Sequence, residues 1–161
     1  MKRIILVLLI VLWAIQVSAQ HTDTPNFVVL YDKSGSFGSF PKKSVSSVLT
    51  QLELTLIEHL LRKCIDDYNF GAEKRYNELK KKNPQIKIDN FIIRVEKYKR
   101  QYVVKKSLSG EKLLCVNCFC HTLSNYKKEI VSVEDGGNCY FNLMINLTKG
   151  QCYDLMVNGE A

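Results

Sequence analysis

The chain has 161 residues, 46% of them hydrophobic, enough for one domain with a real core. Its net charge of +7 drops to +5 if Lys2 and Arg3 are removed. Neither value approaches a nucleic-acid-binding composition, so no nucleic-acid partner is expected.

Lys2 and Arg3 form a short basic start, and Ile4 to Ile15 is an almost unbroken apolar run. About a dozen apolar residues fall short of the roughly 17–25 that a bilayer core requires. Val17-Ser18-Ala19 adds the small-x-small pattern of a cleavage site. Residues 1–19 are therefore predicted to be a signal peptide, with Gln20 as the first mature residue. The product is expected to be secreted and extracellular, without stable membrane insertion. In that setting the six cysteines, Cys64, Cys115, Cys118, Cys120, Cys139 and Cys152, are disulfide candidates.

Residues 20–43 read as a flexible N-terminal arm. Thr24-Pro25 and Phe40-Pro41 disfavour helix, and the Ser34–Ser39 stretch lacks the spacing and lysine of a phosphate loop. Phe27 to Tyr31 is apolar and partly β-branched, and predicts one short strand.

Residues 44–161 are expected to form the folded domain. A helix capped by Ser44, Ser46 or Ser47 would carry a stripe of Val48, Leu52, Leu56, Leu60 and Cys64, widened by Leu49, Ile57 and Leu61. Gly71 costs a helix about 1 kcal/mol relative to alanine, so a kink or break is expected near Asn69-Phe70-Gly71. Ala72 to Lys82 returns to helix formers, with Tyr76 and Leu79 toward the domain, until Asn83-Pro84 stops it.

Beyond Pro84 the pattern becomes strand-like: Phe91 to Val104, Glu111 to His121, Lys128 to Val133, Cys139 to Leu147, and Cys152 to Val157. Turns fall at Ser107–Gly110, Glu134–Asn138 and Thr148–Gly150. The fold class is α+β, a long or broken helix packed against a four- to five-stranded antiparallel sheet.

The three histidines are isolated in sequence, and oxidised cysteines do not attack, so no enzyme and no cofactor are expected. Cys115-x-x-Cys118-x-Cys120-His121 has zinc-capable spacing. Secretion favours disulfides there, and no metal is expected. Strand alternation puts Cys118 and Cys120 on one face and Cys115 on the other. A Cys139–Cys152 bond across the last hairpin looks poorly registered. Cys64 continues the helix stripe and is expected to staple the helix to one of the other five. Asn146-Leu147-Thr148 is a glycosylation sequon beside a turn, expected to be exposed. Lys97, Lys99, Arg100, Lys105 and Lys106 make a basic strand able to attract an anionic glycan or an acidic extracellular protein.

Two segments carry a family resemblance. Cys64-Ile65-Asp66-Asp67-Tyr68-Asn69 is similar to the end of the cystatin helix. Ile92 to Val104 looks like the strand leading into that family's first hairpin. The resemblance to the cystatin superfamily covers roughly residues 45–158. It implies a sheet wrapped around one helix, and inhibition of papain-like cysteine proteases by a wedge of three parts. Gly38 or Gly35 would match the glycine of the first part. Gln101 and Val103 match the Gln-x-Val-x-Gly hairpin motif, with Lys105 in place of its glycine. The Pro-Trp of the third part is absent. These departures make the fold easier to expect than full inhibition.

Overall fold

The computed structural model describes residues 26–31 and 37–159. The expected signal peptide 1–19, His21 and Gly35 lie outside the described residues.

One helix, α1 (Gln51–Lys82), packs on a sheet built from β1 (Phe27–Leu30), β2 (Val45–Ser46), β3 (Lys99–Lys106), β4 (Lys112–Phe119), β5 (Tyr140–Asn146) and β6 (Gln151–Val157). The strand order is β1-β3-β4-β5-β6, with β2 also paired to β3. All pairings are antiparallel except β1 with β3, where Phe27 lies opposite Arg100 in parallel register. The arm thus contributes the strand that its apolar segment predicted. The sheet has six strands where four or five were expected, two of them, β1 and β2, short.

α1 is unbroken over 32 residues, contrary to the expected kink or break. Gly71 faces solvent, and the halves of the helix on either side of it are held by tertiary contacts. Asn69 exchanges two 2.8 Å hydrogen bonds with the backbone of Ile93, and the Tyr76 and Phe91 rings lie 5.6 Å apart. These outweigh the roughly 1 kcal/mol cost of one glycine. The cap is Thr50, not Ser44, Ser46 or Ser47. Its hydroxyl accepts from the Glu53 amide while the Glu53 carboxylate accepts from the Thr50 amide at 2.8 Å. The stripe starts later than expected too. Leu52 and Val48 are exposed, whereas Ile57, Leu60, Leu61, Cys64, Ile65, Ala72 and Tyr76 are buried. Leu79, expected to face the domain, is exposed.

The Glu53 carboxylate also takes two bonds from Lys112 Nζ, at 2.6 and 2.8 Å, joining the helix start to β4. Burial pushes its pKa up, but the Lys112 and Thr50 hydrogen bonds prevail and hold it below the usual value. A lowered folded-state pKa stabilises above the unfolded pKa, and that contribution is lost as pH falls through the folded value. Glu53→Gln, which keeps the cap geometry, is expected to cost roughly 0.5–1 kcal/mol at neutral pH. In acid, below the folded pKa, the variant and parent should converge, as urea denaturation at both pH values will reveal.

One expected strand is shortened and another is absent. Residues 88–98 form two 3-10 turns, Ile88–Asn90 and Val95–Lys97, so β3 begins only at Lys99. Asn69 supplies Ile93 with the backbone partner that a neighbouring strand would otherwise give. Lys128 to Val133 is irregular, and lies over the sheet face opposite α1. That gives the sheet cover on both sides. Tyr102, Val104, Leu114, Val116, Phe141, Leu143 and Ile145 meet the helix. On the other face Val103, Leu113, Cys115 and Met144 meet Leu30, Phe37, Phe40 and Ile130.

Candidate functional site

Three of the four residues nominated for an inhibitory edge are interior. Gln101 and Val103 lie mid-strand in β3 and are buried, as is Lys105. The hairpin turn itself is Ser107–Gly110, several residues further on. Gln101 is the hub of a polar network. Its Oε1 accepts from Asn117 Nδ2 at 3.0 Å and from the Val131 amide at 2.8 Å. Its Nε2 donates to the carbonyls of Tyr126 and Glu129. Asn117 Nδ2 also donates to the Val131 carbonyl at 2.8 Å. Side-chain amides thereby replace the strand ladder expected for residues 128–133. Gln101 fastens a covering segment, and Val103 and Lys105 are packed beneath the chain that crosses this face.

Gly38 does not reach an end of the sheet either. Its φ is +81°, and a Cβ there would sit 2.9 Å from the Phe40 ring and 3.0 Å from Cys115 Cβ. Close approach of the arm to β4 accounts for the glycine.

The basic strand is divided. Arg100 points to the helix face, pairs with Glu58, and lies 3.3 Å from the Tyr102 hydroxyl, which donates to Glu58 at 3.1 Å. Burial alone would lower the Arg100 pKa, yet Tyr102 and Glu58 raise it overall. The Lys105 ammonium sits 4.8 Å from the Phe40 ring centre. Lys97 and Lys106 are exposed and Lys99 is half-buried. Lys99 and Lys106 stand at opposite ends of β3, about 23 Å apart at strand rise. No continuous basic face results.

A different surface gathers apolar groups. The β3–β4 turn and the β5–β6 turn occur at the same end of the sheet, tied by the Leu147 amide on the Lys112 carbonyl at 2.9 Å and by Lys149 on Glu111 at 2.5 Å. β2 joins them through Val45 opposite Lys106, and the start of α1 through Glu53 and Lys112. This end presents Leu108 at 78% exposure, Leu52 at 81%, Val48 at 64% and Val45 at 62%. Sequence reasoning passed over Leu108 as part of a turn. It also assigned Leu52 and Val48 to the core, because the helix start was placed too early. The capping box at Thr50 and Glu53 was the signal that could have corrected it.

Two disulfides are formed, Cys64–Cys152 and Cys120–Cys139, with Cα atoms 6.5 and 5.2 Å apart. The first is the expected helix-to-sheet staple. Cys139 does not pair with Cys152, as the register argument anticipated, since Ile145 stands opposite Cys152. Cys115 and Cys118 are buried thiols on opposite faces of the sheet, which keeps them from bonding to each other. Burial drives the Cys118 thiol well above its usual pKa and keeps it protonated. Asn146 is buried, contrary to its expected exposure, with its Oδ1 accepting from the Lys149 amide at 3.0 Å. His59 and His121 are exposed.

Compared with protein-family models, with curated proteins and with solved structures, the chain matches none. The class its fold defines is an α+β protein, with one long helix packed on a mostly antiparallel sheet.

Proposed function

We propose that the chain is a secreted, non-enzymatic binding protein of cystatin-like build, acting on a papain-like cysteine protease through the hairpin end of its sheet. One observation carries the reading: two hairpin turns, β2 and the helix start converge there around exposed Leu108, Leu52, Val48 and Val45. Apolar surface gains about 25 cal/mol per Å² when water is removed from it, so such an end favours insertion into a cleft. The helix-then-sheet order and the signal-like start support the same reading. Without the family's hairpin glycine and Pro-Trp, the inhibition should be weak.

Titrating a papain-like protease with the mature protein tests this. Inhibition at micromolar protein is expected, and Leu108→Asp should weaken it at least about tenfold by removing an apolar anchor. Lys97→Gln should leave it unchanged. A parent protein that does not inhibit at micromolar concentration rules out the protease partner. Inhibition indifferent to Leu108→Asp rules out this surface.

A further inference from the structure

Cys120 and Cys139 close a cross-link at the far end of the β4–β5 hairpin, and His121 stands beside it. The two Sγ atoms and an imidazole nitrogen all lie within 4.8 Å of one another. Both cysteines are half-exposed, and a groove of about 180 Å³ lined by Asp89, Arg94, Lys97, Tyr98 and Asn138 opens onto them. In the other disulfide Cys64 is buried on the sheet side of α1, and only Cys152 is half-exposed, beside a groove of about 170 Å³. Cys120–Cys139 thus offers a reductant two half-exposed cysteines where Cys64–Cys152 offers one, and is the bond expected to open first. Lys97 in the groove favours the thiolates that would form, while Arg94 there is paired with Asp89.

The frame around the pair does not depend on the cross-link. The Cys120 amide donates to the Cys139 carbonyl at 3.0 Å, continuing the β4–β5 ladder from Phe119 opposite Tyr140. Tyr98 Oη donates to the Asn138 carbonyl at 2.8 Å. The Asn138 amide in turn donates to the carbonyls of Asp89 and Ile92, at 2.7 and 3.0 Å. These bonds hold residues 138–139 against β4 when the Sγ–Sγ bond is opened.

We propose that Cys120, Cys139 and His121 form a redox-gated site for a thiophilic divalent cation such as zinc, which the disulfide closes and reduction opens. A dithiol reductant breaks the Sγ–Sγ bond, delivering two electrons and two protons, and is itself oxidised to a disulfide. The cation then takes the two thiolates, releasing those two protons, together with the neutral imidazole. Two sulfurs and one nitrogen are a ligand set suited to zinc, and the fourth tetrahedral position is left to solvent.

The full mature protein is treated with limiting dithiothreitol, freed of reagent under nitrogen, and mapped by mass spectrometry. Cys120 and Cys139 should be reduced while Cys64–Cys152 remains intact. Cobalt(II), the spectroscopic stand-in for zinc, should then bind one per chain with a thiolate-to-cobalt charge-transfer band that the oxidised protein lacks. His121 is exposed, so His121→Ala should fold normally and weaken cobalt binding at least about tenfold. Opening of Cys64–Cys152 first, absence of the band, or a band and affinity unchanged by His121→Ala would each overturn the assignment.

Discussion

Replacing both Cys64 and Cys152 with serine should be the most damaging change that leaves the hydrophobic core otherwise intact. The bond spans a sequence separation of 88 and joins α1 to β6. On the chain-entropy model such a closure stabilises by roughly 4.5 kcal/mol. The separation of 19 at Cys120–Cys139 gives roughly 3 kcal/mol on the same model. Against a domain stability of about 5–15 kcal/mol, loss of the first bond removes a large share. Urea titrations of the two double-serine proteins should rank them in that order. Equal or reversed losses would mean that core contacts, not the staple, hold the helix to the sheet.

Gln101→Leu is expected to cost about 2–4 kcal/mol although it removes little volume. The buried Val131 amide loses its acceptor, and Asn117 loses one of its two partners. Each buried polar group left unsatisfied costs about 1–3 kcal/mol. The partly exposed carbonyls of Tyr126 and Glu129 can turn to water and add little. Hydrogen exchange adds a local readout: the Val131 amide should lose its protection ahead of the β3–β4 ladder. A loss under about 1 kcal/mol with Val131 still protected would show that the covering segment is held by Ile130 and Tyr126 packing instead.

Much of the fold was legible because its signals are local. The apolar stripe from Ile57 to Ile65, the turn at Ser107–Gly110 and the mostly apolar run through β4 each imply their element without reference to the rest of the chain. The failures share a cause. At Gly71, Ile93 and Val131 the outcome was decided by a partner distant in sequence: Phe91 against the Tyr76 ring, the Asn69 side chain, and the Gln101 amide. A run such as Phe91 to Val95 has strand composition, yet a side-chain amide can satisfy its backbone as well as a strand does.

Site residues were less legible than elements. Gln101 and Val103 were matched on the motif alone, and their burial depends on residues 37–40 and 126–131 crossing the outer face. Cys64 was placed correctly because helical period alone sets its direction. The Cys120, Cys139 and His121 cluster was out of reach, since it depends on the β4–β5 register.

The borders of the sheet carry one more consequence. The long strand β3 is capped along its open side by β1 and β2, two short pieces paired in opposite senses. At the other border β6 is interrupted where residues 154 and 155 oppose Leu143, with Asp154 at φ +50°. A bulge bearing a carboxylate bends that border and places charge where an incoming strand would need to lie flat. Neither margin offers a long straight template for another copy, so the folded chain is guarded against fibril-type stacking at high concentration.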